Sequence, residues 1–193
     1  LHIDNLSFGK ALALYDEEIW DPVSDEYLDY CNDVSLLIRL EICGVDVGQR
    51  WVELASKIER RSNEHIRTFV DAHYVLALGA IENWEGATKL IETFSHKGGH
   101  VRLKVGVPLC RALVDYKKQN YLAAYNSFST LADRICLIGG SNAQRDLFMQ
   151  IKIDSAIKSK QYGNAKGLLR QRLDEAPNNQ LTQKWLLEVN SKI

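Results

Sequence analysis

Three polar residues crowd one short stretch of the chain: His65, Asp71 and His73. A histidine beside a carboxylate can carry protons near neutral pH, and two histidines with an aspartate can hold a divalent metal. The spacing argues against the metal. On one helix His65 and His73 stand roughly 12 Å apart along the axis, too far to share a zinc ion, and the H-E-x-x-H arrangement is absent. Asp71 and His73, two positions apart, point to different helix faces. If His65 occupies the turn before the helix, all three can converge on one acid–base or ligand site. The structural alternative is capping, inter-helix hydrogen bonding or solvent exposure.

The second candidate is the run Gly139-Gly140-Ser141-Asn142-Ala143-Gln144-Arg145-Asp146. A glycine pair before a helix can turn backbone N–H groups toward an anion, and Arg145 can add charge-assisted hydrogen bonds to a carboxylate or phosphate. The plainer reading is a helix stop followed by a Ser141/Gln144 capping box, with Arg145 and Asp146 pairing locally. No phosphate-binding G-x-x-x-x-G-K-[ST], no G-x-S-x-G elbow and no cysteine–histidine protease signature occurs. His96 and His100 flank Gly98-Gly99, which break any helix that would align them. The candidate ligand-binding set is therefore His65, Asp71, His73, Gln144, Arg145 and Asp146. No catalytic residue, metal or cofactor is assigned.

Composition narrows the function classes. Hydrophobic residues make up 46% and charged residues 25% of the 193 residues, enough to bury a core, so disorder is excluded. A formal net charge of −1 provides no overall field for nucleic acid or an anionic membrane. Lys166, Arg170 and Arg172 form at most a local basic patch, read as a solvated helix face. No apolar run approaches the roughly 20 residues that span a bilayer. Cys31, Cys43, Cys110 and Cys136 lie in no C-x-x-C pair and sit among apolar residues. They read as buried, reduced thiols, which suits the cytoplasm. The start Leu1-His2-Ile3-Asp4 has no signal-peptide pattern and no initiator Met, so the chain is expected to be part of a longer protein.

The elements that would position these residues are helices. Only Pro22, Pro108 and Pro177 interrupt helix formers, and apolar residues recur at three and four positions. Leu28, Cys31, Ile38 and Ile42 form one stripe, with Val34 and Leu37 beside it. Val107, Cys110 and Val114 form another, flanked by Leu109, Leu113 and Tyr116. Gly44 is expected to close a helix ending near Ile42 in a left-handed cap, and Asp46 with Gln49 resembles a capping box for the next. A motif then repeats: an aromatic, an alanine three positions on, and a bulky residue one turn further. It reads Phe8–Ala11–Tyr15, Trp84–Ala87–Ile91, Tyr121–Ala124–Phe128 and Tyr162–Ala165–Leu169, with a fainter Trp51–Ala55–Ile58. The aromatic wedges between helices, the alanine lets backbones approach, and the third residue seals the face. The spacing is irregular about the roughly 34-residue period of tetratricopeptide helix pairs. The expected fold is one all-α domain over residues 1–193, a right-handed solenoid of antiparallel helix pairs.

Longer motifs carry a family resemblance. Ala11-Leu-Ala-Leu-Tyr-Asp16, Leu40-Glu-Ile-Cys-Gly-Val-Asp-Val-Gly48 followed by Arg50-Trp51, Phe69-x-Asp71-x-His73, and Gly139-Gly-Ser-Asn-Ala-Gln-Arg-Asp146 followed by Phe148 resemble the C-terminal part of the tetratricopeptide repeat protein 38 family. The resemblance runs along nearly the whole chain and implies an intracellular helical-repeat protein with further N-terminal helices. It implies no particular activity. Two functions follow as expectations. A scaffold would bind a protein or peptide on an open, solvated groove with few shifted pKa values. A small-ligand or enzymatic pocket would bury converging His65, Asp71, His73 and Arg145. Homo-oligomerisation through a terminal helix Leu181–Val189, anchored by Trp185, is compatible with either. If that helix folds back as a cap, Trp185 is core.

Overall fold

One turn recurs through the molecule and sets its architecture. Leu6, Glu82, Gln119 and Lys160 all have φ near +60°, a conformation uncommon for residues other than glycine. In each, the backbone N–H donates to the carbonyl three residues earlier, on Ile3, Gly79, Tyr116 and Ile157. In three of them the next N–H reaches back five residues, from Asn83 to Leu78, Asn120 to Asp115 and Gln161 to Ala156. These are paired helix-terminating bonds that satisfy the last carbonyls. The second residue after each left-handed position is Phe8, Trp84, Tyr121 or Tyr162, and each opens a helix. The repeated aromatic therefore marks the restart of the chain after a fixed turn.

The computed structural model describes residues 3–193, apart from the side chain of Ala132. Among the described residues it is all-helical, with no strand. The helices are α1 (Phe8–Leu14), α2 (Tyr27–Ile42), α3 (Arg50–Arg61), α4 (Thr68–Ala80), α5 (Trp84–His96), α6 (Val107–Lys117), α7 (Tyr121–Leu131), α8 (Asn142–Lys158), α9 (Tyr162–Glu175) and α10 (Gln180–Asn190). A π-helical turn (Tyr15–Ile19) follows α1, another (Arg102–Gly106) leads into α6, and 3₁₀ turns (Ala132–Ile138) follow α7. None of these helices is long and apolar enough to cross a membrane.

Helix α4 is the centre. Every residue from Phe69 to Gly79 is buried, because α2, α3, α5 and α6 all pack on it. A helix covered on every side needs apolar residues all round, and α4 has them except at Asp71, His73 and the Tyr74 hydroxyl. The alanines of the repeated motif, Ala11, Ala55, Ala87, Ala124 and Ala165, are all buried, as expected where backbones approach. Gly106 marks another close approach: a Cβ there would stand 2.5 Å from Thr68 Cγ2 and 2.8 Å from Phe94 Cζ.

Helix α2 touches α8 as well as α4. At the far end of the chain, the Leu181 N–H donates to the Asp4 carbonyl at 3.1 Å and Asn179 Nδ2 donates to Asp4 Oδ1 at 2.9 Å. The α2, α4 and α8 faces thus meet across a shared core instead of standing open. Trp185 is buried within that core, and His96 and His100 are exposed.

Several local expectations need correction. Asp46 does not cap α3. Its Oδ1 accepts from the Gly48 N–H at 2.8 Å, within its own loop, and Gln49 takes the N-cap position without a side-chain bond. Gly48, at φ +58°, turns the loop so that Asp46 caps itself. Leu28 leaves its stripe and is 45% exposed, because it lies in the first turn of α2, ahead of the region that α4 covers. Cys136 is exposed, whereas Cys31 and Cys110 are buried and Cys43 is half-buried; all four are free thiols. Cys136 lies on a 3₁₀ turn, where three residues per turn do not gather its apolar neighbours on one face. The Lys166–Arg170–Arg172 patch is split, since Arg172 turns inward to Asp146. Gly44, at φ +79°, does end α2, with the Val45 N–H returning to the Leu40 carbonyl at 3.0 Å.

Candidate functional site

The His65–Asp71–His73 group divides in two. His65 occupies the turn before α4 at φ +53°. Its Nδ1 lies 2.6 Å from Asp71 Oδ1 and its Nε2 lies 2.9 Å from Thr93 Oγ1 on α5. Burial lifts the Asp71 carboxyl to about 6, although His65 beside it pulls the other way. This pair is sealed between α4 and α5. His73 faces away from it, toward α2 and α8. Its ring packs on Phe69 and Phe148. No group of three or more histidine, cysteine or acidic residues among the described residues could hold a metal ion.

His73 has a defined tautomer. Nδ1 lies 2.8 Å from the Phe69 carbonyl, which only accepts, so Nδ1 carries the proton. Nε2 is then an acceptor, and Ser35 Oγ donates to it at 3.0 Å. The ring is wholly buried, and burial lowers its pKa to about 4. A serine hydroxyl on an imidazole is the beginning of a nucleophile–base couple. Here a backbone carbonyl stands where a carboxylate would stabilise the imidazolium. The pair consequently positions a hydroxyl without activating it.

Ser35 borders a cleft of about 750 Å³ between α1, α2 and α8, lined also by Asn32, Arg39, Gln144, Asp146 and Gln150. Arg39 donates to the Ser35 carbonyl at 3.2 Å and the Ala143 carbonyl at 3.0 Å. Gln144 is committed to its helix: its Oε1 accepts from the Ser141 N–H at 2.8 Å, and Ser141 Oγ accepts from the Gln144 N–H at 3.2 Å. The capping box read from the sequence is present.

Asp146 forms the wall between this cleft and a second one. Arg172 grips both its carboxylate oxygens, with Nη2 to Oδ2 at 2.9 Å, and Gln150 Nε2 donates to Oδ2 at 2.7 Å. Burial would raise this carboxyl, but Arg172, Gln150 and Arg39 together hold it below its ordinary value. Arg145 does not pair with its neighbour Asp146. It folds over the preceding loop onto the Gly139 and Gly140 carbonyls and Asn142 Oδ1. Successive helix positions point about 100° apart, so Asp146 faces Arg172 while Arg145 faces the loop.

The second cleft, about 400 Å³, lies where α8, α9 and the 3₁₀ turns meet. Ile135, Phe148, Met149 and Leu168 form its apolar wall; Arg145, Arg172 and Lys152 bring positive charge. Lys152 is only 8% exposed. Among the described residues, no carboxylate or carbonyl pairs with its ammonium, and burial depresses its pKa against an opposing pull from Asp133. The side chain is largely covered, yet the ammonium keeps solvent contact at the cleft with its donors uncommitted.

The structure thus brings Gln144, Arg145 and Asp146 around one helix end, sets His73 beside that region through Ser35 and Phe148, and leaves His65–Asp71 elsewhere. Sequence reasoning missed Ser35, Arg39, Gln150, Lys152 and Arg172. Lys152 carried a signal: it sits between Ile151 and Ile153 in a stretch of α8, Gln150–Ala156, that is buried throughout. No family model matches the chain, and no solved structure matches it.

Proposed function

We propose that the chain is a tetratricopeptide-like helical-repeat module, related to the tetratricopeptide repeat protein 38 family, that works in the cytoplasm by holding a partner polypeptide in the α8–α9 cleft. The observation that carries this reading is the cleft itself, an apolar wall around one unpaired, nearly buried cation. Binding sites are typically concave, mainly apolar, and fixed by a few convergent polar groups. The recurrent left-handed turn followed by an aromatic and a buried alanine supports the repeat reading, because a repeat architecture copies its connections as well as its helices.

A photo-crosslinking residue in place of half-buried Leu168 tests this in cells. Polypeptide adducts formed there, and absent from a control at exposed Leu187 on α10, support a protein-binding cleft. Equal labelling at both positions, or none at Leu168, removes the support.

A second reading rests on the larger cleft. Gln150 lines it, is 3% exposed, and its Oε1 accepts no hydrogen bond among the described residues. With Ser35 and Arg39 nearby, the cleft suits a small polar ligand. A thermal-shift screen of metabolites against the wild type and Arg39→Met separates the two readings, since a ligand of this cleft stabilises only the wild type.

A further inference from the structure

We infer that the α8–α9 cleft recognises a monoanionic carboxylate joined to a short apolar side chain, as at the C-terminal residue of a polypeptide, with Lys152 as the pairing cation. This rests on the protein-binding reading above and names the group that the cleft selects.

The charge count sets the anion. Three cations line the cleft, but two are already committed. Arg172 gives its fork to Asp146 and its Nε to Thr182 Oγ1 at 3.1 Å. Arg145 is spent on two carbonyls and an amide oxygen. Those neutral oxygens leave the charge of Arg145 in place, but Glu175 at the rim opposes it, so Lys152 is the cation with both charge and donors uncommitted, which matches one carboxylate. A phosphate carries roughly −1.5 to −2 at neutral pH, more than the one net positive charge that Arg145, Lys152, Arg172, Asp146 and Glu175 leave at the cleft. Asp133 lies near enough to Lys152 to act on its charge, which disfavours a dianion further.

The wall chooses the rest of the ligand. Ile135, Met149 and Leu168 are partly buried hydrophobic residues packed on the core, and Phe148 beneath them is fully buried. Such a surface gains by covering an aliphatic or thioether side chain. Methionine and leucine side chains on the wall can adjust to fit it. A cleft of about 400 Å³ holds one residue with its terminus, and not a longer folded element. Lys152 lines the cleft with its donors unshared, so a carboxylate placed there takes a charge-assisted hydrogen bond.

The test is an NMR titration of the isotope-labelled chain with three probes: N-acetylleucine, N-acetylleucinamide and inorganic phosphate. The expected result is a saturable shift of the Met149, Lys152 and Leu168 amides with N-acetylleucine. Binding of the amide should be weaker by about tenfold, the worth of one charge-assisted hydrogen bond, and phosphate should give no saturable shift. Lys152→Met keeps the side-chain length and should lose the preference for the acid over the amide. Glu175→Gln, an exposed change, should tighten N-acetylleucine binding in a correctly folded protein. Equal binding of acid and amide, preference for phosphate, or an unchanged response in both variants overturns the inference. If polypeptide adducts form at Leu168 while N-acetylleucine leaves these amides unmoved, the protein-binding reading survives and the carboxylate inference does not. If N-acetylleucine binds but no polypeptide crosslinks, the reverse holds.

Discussion

Ser35 Oγ lies 3.0 Å from His73 Nε2 while His73 Nδ1 lies 2.8 Å from the Phe69 carbonyl, so one imidazole is fixed to its own helix by Nδ1 and ties α4 to α2 through Nε2. Removing the hydroxyl leaves a buried acceptor unpaired. Ser35→Ala is expected to lower stability by roughly 1–3 kcal/mol, read by urea denaturation. The wholly buried ring resists protonation, so Ser35 should also stay unlabelled by a fluorophosphonate at neutral pH. Rapid, His73-dependent labelling of Ser35 would show an activated nucleophile and contradict the reading of the pair as an unactivated hydroxyl held in place.

The pH dependence of stability should show two opposed slopes. Burial, reinforced by Asp29, lifts the Asp33 carboxyl from 3.8 to about 7, and burial lifts Asp71 to about 6. A carboxyl raised in the folded state holds its proton there longer than in the unfolded chain. Its contribution is fully present below about pH 4 and is lost as pH rises through 6 to 7. His73 runs the other way: lowered by burial from 6.5 to about 4, its contribution is full above 6.5 and is lost as pH falls toward 4. Two carboxyls outweigh one imidazole, so wild-type stability should fall on balance as pH rises between these limits. Asp33→Asn removes one slope. It is expected to exceed the wild type by roughly 2–4 kcal/mol at pH 8 and to match it near pH 4. A difference independent of pH in denaturation series at pH 4, 6 and 8 would remove ionised Asp33 as the cause.

Thiol chemistry should distinguish the four cysteines. Burial pushes the Cys43 thiol up to about 12 and lifts Cys31 and Cys110 further, which suppresses the reactive thiolate. Cys136 alone is exposed, and it lines the α8–α9 cleft. One equivalent of a thiol-disulfide reagent on the native protein should modify Cys136 first, as peptide mapping would show. N-acetylleucine should slow that modification. Reaction at Cys43 first, or no protection, would place the accessible thiol or the ligand elsewhere.

Much of the helix architecture was legible because apolar spacing and the aromatic–alanine motif report directly on packing. Phe8, Trp84, Tyr121 and Tyr162 each open a helix, and the alanines three positions on are all buried. The turns before them were not legible, because Leu6, Glu82, Gln119 and Lys160 adopt a left-handed conformation that glycine, not these residues, normally signals. The Ser141/Gln144 capping box could be read locally, since both partners lie within four residues. The site could not. Lys152 draws its meaning from what α9 and the 3₁₀ turns bring to it, and Ser35 from His73, 38 positions away. Local spacing placed Arg145 beside Asp146 as an ion pair, but helix geometry sends their side chains to different partners.

That geometry makes the Asp146–Arg172 pair the joint between the two clefts, and its strength can be measured. Asp146 is bound by Arg172 through both oxygens and by Gln150, while Arg172 is anchored to Thr182 on α10. The side chains are 30% and 14% exposed, so the pair is shielded but not sealed, and its coupling should fall between surface and buried values, on the order of 1–3 kcal/mol. A double-mutant cycle with Asp146→Asn and Arg172→Met reads this coupling free of each residue's own packing. Each single change should cost more than its incremental cost in the presence of the other. Because the folded Asp146 carboxyl is depressed, the stabilisation should be present above about pH 4 and fade as pH falls through the lowered value. Arg172→Met should also lower the affinity of Lys152 for N-acetylleucine, since it leaves Asp146 unneutralised at the cleft wall. Additive costs, or an unaltered affinity, would mean that the two clefts are independent and that Asp146 merely fills space between them.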